Sequence, residues 1–177
     1  EGITALAKLS VIAGQLLDGE SFTRRQTSLT HGVSRNPGKV VFIGGPGQGK
    51  STLTQFFCQL HRCSFIKQHS TKSLNSEVAE ACHIVATQCI DESIDTPRNA
   101  RFPLRVELNK FAASLANGGC TSLFGFILNR IKERSERELN SDDLRNWLSS
   151  YPWLIALDGL DEVPASSNRS QVLGSIQ

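Results

Sequence analysis

Apolar residues recur at helical spacing over residues 3–17, where Ile3, Leu6, Leu9, Ile12 (or Ala13) and Leu16 line one face of a predicted amphipathic helix. Residues 18–39 are rich in Gly, Ser, Thr, Arg and Asn and end in Asn36-Pro37-Gly38, the composition of a connecting segment with a turn. Val40-Val41-Phe42-Ile43 is continuous rather than alternating, which predicts a strand buried on both faces in a parallel sheet. Leu53, Phe56, Phe57 and Leu60 stand at i, i+3, i+4 and i+7 and predict a second helix. A third is predicted over 76–90 with Val78, Ala81, Val85 and Cys89 inward, broken by Thr96-Pro97-Arg98-Asn99.

Apolar and charged residues alternate from Phe102-Pro103 through Leu104-Arg105-Val106-Glu107 to Leu108, a strand with one less buried face. Leu123, Phe124, Ile127, Leu128 and Ile131 form another helical stripe, running into a mixed charge run over 132–138 that reads as a solvated surface with pairs at i, i+4. Ser141 is placed to cap a short helix, with Asp142 and Asp143 at its positive end and Trp147 and Leu148 as its anchors. Trp153-Leu154-Ile155-Ala156-Leu157 is the second buried-strand candidate and ends on Asp158. Strands separated by helices predict an α/β layer fold.

Composition narrows the class. At 177 residues the chain has room for one domain with a core, and 39% hydrophobic with 20% charged residues marks a folded protein. A net charge of +2 calls for neither a nucleic-acid backbone nor an anionic membrane as partner. No apolar run approaches the roughly 20 residues of a spanning helix, and the N-terminus has no basic and apolar targeting pattern, so a cytoplasmic location is expected. The absence of Met suggests a piece of a longer chain, starting partway through a helix. Five cysteines, at 58, 63, 82, 89 and 120, are odd in number and lack C-x-x-C spacing, which reads as reduced thiols. Cys58, His61 and Cys63 lack a fourth ligand at suitable spacing and are read as packed core and surface residues rather than a zinc site.

The chemistry starts at Gly44-Gly45-Pro46-Gly47-Gln48-Gly49-Lys50-Ser51, which fits the phosphate-loop pattern G-x-x-x-x-G-K-[ST] between a strand and a helix. Glycines permit the positive φ angles and close backbone approach needed to wrap N–H groups around a phosphate. The helix behind adds its own N-terminal N–H groups and dipole. In this setting Lys50 is expected to bridge the β- and γ-phosphates, Ser51 to ligate Mg²⁺, and Thr52 to reach the α-phosphate.

A second acid from a neighbouring strand completes such a site, and Asp158 stands where the apolar strand ends. Asp161 and Glu162 follow within four residues. Carboxylates so closely spaced suit a metal-bound nucleotide, one as metal ligand and another polarising the attacking water.

Together, GGPGQGKST and LIALDGLDE resemble the NACHT domain of STAND-class P-loop NTPases, with Gly159 as the small residue after the Walker B Asp and Asp161-Glu162 as the second acidic pair. The stretch 101–108 is similar to that family's middle strand with its Pro-Leu start, and GGPGQGKSTLTQFFCQLHR looks most like bacterial members. The resemblance covers roughly residues 20–177. It implies a three-layer P-loop NTPase fold with a mainly parallel sheet, cut short at the C-terminal end, in which 1–38 form a helix and linker and 39–177 an incomplete core. It also implies an ATP-binding and ATP-hydrolysing switch that oligomerises on sensing a ligand, in several bacterial relatives as a defence against phage. Residue by residue, 44–52 would hold ATP (or GTP), Ser51 and Asp158 would hold Mg²⁺, Lys50 would act on the phosphates, and Asp161 or Glu162 would position water. The family's sensor strand, helical lid and winged-helix domain do not follow within these residues.

Three functions remain open on the sequence: a hydrolysing switch, a module that clamps nucleotide without turnover, and a P-loop kinase or nucleic-acid-dependent ATPase. The last would need an Arg-rich lid or a basic and aromatic track, which the sequence does not display. The N-K-x-D signature of guanine readers is absent, which favours adenine.

Overall fold

The computed structural model describes residues 5–18, 41, 43, 45–70, 73–135, 138–164 and 169–176. The predicted linker over 18–39 lies, apart from Asp18, outside the described residues, as do Val40, Phe42, Gly44, Glu136 and Arg137. Over the described residues the chain is mixed α/β and mostly helical, with a two-stranded parallel sheet. It divides into two units, Glu1–Phe102 and Pro103–Gln177.

In the first unit, α1 (Ala5–Asp18) packs against α2 (Lys50–His69), and α2 packs against α3 (Ser76–Asp91). Leu9 is buried on α1 as its spacing predicts. The face of α2 is broader than the predicted stripe. Besides Phe57 and Leu60 it buries Thr54, Cys58, His61, Cys63 and Ser64. Thr54 tolerates burial because its hydroxyl donates to the Lys50 carbonyl one turn back at 2.9 Å. His61 presents its ring edge-on to Phe57 at 4.8 Å, and its Nδ1 accepts the Arg101 backbone N–H at 3.2 Å. Gln68 reaches the same segment, donating to the Arg98 carbonyl at 3.0 Å. Side chains of α2 thus fix the irregular run 98–101, whose backbone groups have no ladder to join.

Asn75 caps α3 by accepting the Val78 N–H at 2.8 Å. The buried positions are Cys82 and Cys89, whereas the predicted Ala81 is exposed: the inward stripe runs Val78, Cys82, Val85, Cys89. The helix also ends earlier than Pro97 would require. Ser93 adopts a left-handed φ of 52°, the Ile94 N–H donates back to the Cys89 carbonyl at 2.8 Å, and Ile94 is buried.

The predicted strand at 40–43 is not borne out where it is described. Val41 and Ile43 belong to no strand and are 81% and 95% exposed. A continuous apolar run states a wish for burial, but a strand exists only with a neighbour to share its hydrogen bonds.

The second unit is built on β1 (Phe102–Glu107, all but its first residue), α4 (Leu108–Ala116), α5 (Leu123–Arg134), α6 (Ser141–Ser150), β2 (Trp153–Asp158), a 3₁₀ turn (Leu160–Glu162) and α7 (Arg169–Gly174). Helix α4 is central, packing against α5, α7 and the 3₁₀ turn. Its Leu108, Phe111, Ala112 and Leu115 join Val106, Phe126, Ile127, Leu128, Leu144, Val163 and Val172 in one apolar core. Gly118 ends α4 at φ 70°, with Gly119 N–H donating to the Ser114 carbonyl at 2.8 Å and Gly118 N–H to Leu115 at 3.3 Å, a Schellman closure.

Helix α6 is capped by Asn140 rather than by Ser141. The Asn140 side chain accepts from the Asp142 and Asp143 N–H groups, and the Asp143 carboxylate accepts from Asn140 N–H at 2.9 Å. This reciprocal box uses the acid three residues on, which Ser141 could not do in the same register. Leu144 is the buried anchor of α6, while Trp147 meets Trp153 edge-on at 5.4 Å. Strand β2 is likewise not buried on both faces: Ile155 and Leu157 are 47% and 37% exposed, since the described sheet has a single neighbour strand.

Candidate functional site

The loop at the head of α2 belongs to the first unit. Gly47 and Gly49 sit at φ 75° and 72°, where a side chain would strain the backbone. Gln48 turns back so that its Oε1 accepts the Gly45 N–H at 2.9 Å. Lys50, the first residue of α2, folds over the loop and donates from Nζ to the Gly45 carbonyl at 3.0 Å. The side chain expected to bridge phosphates therefore closes the loop into a ring. Gly49 offers no side-chain cap, and the first turn of α2 holds no acid, so the positive end of its dipole is not offset locally. Residues 45–49 are exposed, including Pro46. Ser51 is half-buried and Thr52 exposed.

The acidic turn belongs to the second unit. Asp158 ends β2 with its side chain only 10% exposed. From β1, Arg105 donates to the same Asp158 oxygen twice, Nε to Oδ2 at 3.0 Å and Nη2 to Oδ2 at 2.6 Å. The next residue, Gly159, is left-handed at φ 78° and swings the chain into the 3₁₀ turn, where Glu162 N–H donates to the Gly159 carbonyl at 3.1 Å. Leu160 packs on the core and Val163 is buried, pinning both ends of the turn. Asp161 and Glu162 face outward, and Glu162 Oε2 accepts from Asn109 Nδ2 at 2.9 Å. Beside Arg105, Glu107 pairs with Lys110 at 2.7 Å. That hydrogen bond from Lys110 holds the Glu107 carboxyl below its usual range, against a smaller opposing effect of burial.

Asp158 and Glu162 thus take separate partners, Arg105 and Asn109. Among the described residues, no three His, Cys, Asp or Glu side chains gather to hold a metal ion. Ser51 in the first unit and Asp158 in the second each carry a hard oxygen donor, the class Mg²⁺ takes. Asp158 already has a counter-charge in Arg105. Asn109 lies in no signature, and Arg105 stands in the stretch 101–108 with no role assigned to it there. The available signal was an Arg on a strand flanked by core residues, where a charge must find a partner. The described helices include none long and apolar enough to cross a membrane.

Comparison with protein-family models, with curated proteins and with solved structures found no match.

Proposed function

We propose that this chain binds a nucleoside triphosphate, ATP or GTP, on residues 44–52, as part of a NACHT-like switch that hydrolyses it. The observation that carries the reading is the 3.0 Å contact of Lys50 Nζ with Gly45. It draws a fixed positive charge across a ring of glycine-rich backbone at an uncapped helix start, an arrangement suited to multiply charged phosphate. The reading gives Lys50 the β- and γ-phosphates, Ser51 and Asp158 the Mg²⁺, and Asp161 or Glu162 the attacking water. A bound Mg²⁺ would supply charge neutralisation of the phosphate oxygens. The three-layer parallel architecture and switching by oligomerisation are part of the same proposal.

Titration with a fluorescent ATP analogue tests it, with GTP as competitor. Lys50→Ala should weaken binding roughly tenfold or more, given the strength of charge-assisted contacts to phosphate. Unchanged affinity in that variant would overturn the reading.

A second reading, nucleotide held without turnover, is favoured by one observation: the Asp158 carboxylate is engaged by Arg105. Phosphate release from ATP separates the two, since a clamp binds and releases none.

A further inference from the structure

We propose that Gln48 is a positioning residue for phosphate: its side chain, turned back onto the Gly45 N–H, braces the loop at the head of α2 in the shape that receives the anion. The inference rests on the nucleotide reading above and deepens it, and it lies wholly within the first unit.

Gly47 and Gly49, at φ 75° and 72°, curl the chain on either side of Gln48. The Gln48 amide lies over Gly45. Its Oε1 accepts the Gly45 N–H at 2.9 Å, and a Cβ on Gly45 would stand 3.7 Å from both Cδ and Nε2 of Gln48. The partner is a donor, so the amide oxygen has to face it, and a side chain of this length without an acceptor could not close the same bridge. Such a bridge matters because glycines lose the most conformational freedom on ordering. Residues 45–49 are also exposed, where core packing supplies little restraint. Gly45 is tied at both of its polar groups, its carbonyl accepting from Lys50 Nζ at 3.0 Å and its N–H donating to Gln48. The two ties differ in fate. Lys50 has to leave the carbonyl to meet phosphate, whereas the Gln48 bond uses a group that Lys50 does not, so it persists as the lysine moves. A loop ordered in advance raises the fraction of chains competent to bind, and with it the association rate. Once phosphate holds the loop, the brace adds little to retention.

The test is stopped-flow binding of the fluorescent ATP analogue to the 177-residue chain, with amide hydrogen exchange at Gly45 followed by NMR in the nucleotide-free protein. Gln48→Met keeps the length and loses the acceptor. It should slow association about threefold, the scale of one exposed neutral hydrogen bond, and leave dissociation unchanged. Exchange at Gly45 should quicken in Gln48→Met and return to the wild-type rate in Gln48→Glu, which keeps an acceptor oxygen. Circular dichroism checks folding, and if Gln48→Met misfolds, Gln48→Ala takes its place. An unchanged association rate, or an exchange rate at Gly45 that ignores the acceptor, overturns the inference. So does a change confined to dissociation, the mark of a contact made only with bound phosphate. Each of these leaves Lys50-dependent binding, and so the nucleotide reading, intact; a wild-type chain that binds no nucleotide overturns both.

Discussion

Glu162 folds back over Gly159 so closely that a Cβ on the glycine would stand 3.1 Å from Glu162 Oε2 and 3.3 Å from its Cδ. The glycine is also left-handed, so two separate demands disfavour a side chain there. Gly118 is left-handed too, but a Cβ on it would meet nothing within 4 Å. Gly118→Ala should therefore cost only backbone strain, about 1 kcal/mol, and Gly159→Ala about 1–3 kcal/mol because the Glu162 side chain must also shift. Urea unfolding of the two variants checks the order. Equal losses would show that Glu162 yields freely.

The cap of α6 gives a second comparison. Asn140→Ala removes the acceptor of the Asp142 and Asp143 N–H groups, leaves the backbone arm to the Asp143 carboxylate, and should lower stability by about 1 kcal/mol. Ser141→Ala, at the residue the sequence pattern nominates, should stay within about 0.5 kcal/mol of wild type. A larger loss at Ser141 than at Asn140 would reverse the assignment.

Cys63 on α2 makes a hydrogen bond with Cys82 on α3, and burial first, then that bond, pushes its thiol from 9.0 up to about 11. Between those values the unfolded thiol has lost its proton while the folded one keeps it. The folded state then binds more protons, so this contribution is complete below 9.0 and is lost as pH rises through about 11. Urea midpoints measured across that window should fall less steeply for Cys63→Ala than for wild type. Parallel slopes in the two proteins would remove Cys63 from the alkaline transition.

Helices were legible wherever one local pattern sufficed. The spacing of Leu53, Phe57 and Leu60 and of Phe126, Ile127 and neighbours on α5 is fulfilled because a helix makes its hydrogen bonds within itself. Helix α4 has no counterpart among the predicted elements, although Leu108, Phe111, Ala112 and Leu115 keep strict helical spacing and Gly118-Gly119 supply the stop. It begins directly where β1 ends, and no turn residues mark the change of period. Strands depend on distant partners, which residue order does not name. Trp153 to Asp158 pairs with β1, whereas Val41 and Ile43 stand exposed with the same apolar character. In the candidate site, the roles of Gly47 and Gly49 follow from local backbone demands and could be read ahead, whereas Gly159 entered only through the family resemblance and its left-handed φ of 78° is shown by the folded chain. The Arg105–Asp158 pair joins residues 53 apart, and only the folded chain shows it.

That separation bears on the order of folding. Helix α4 carries its stop signal in adjacent residues, so it needs no long loop to close before it gains contacts. The two strands must first close the intervening chain, at an entropic cost that grows with the logarithm of its length. Parallel pairing of β1 with β2, and with it the meeting of Arg105 and Asp158, is then a late event. A chain stalled before that step would show Asp158 without its guanidinium and leave Ile155 and Leu157 on a strand with no ladder, ready to template pairing with another copy.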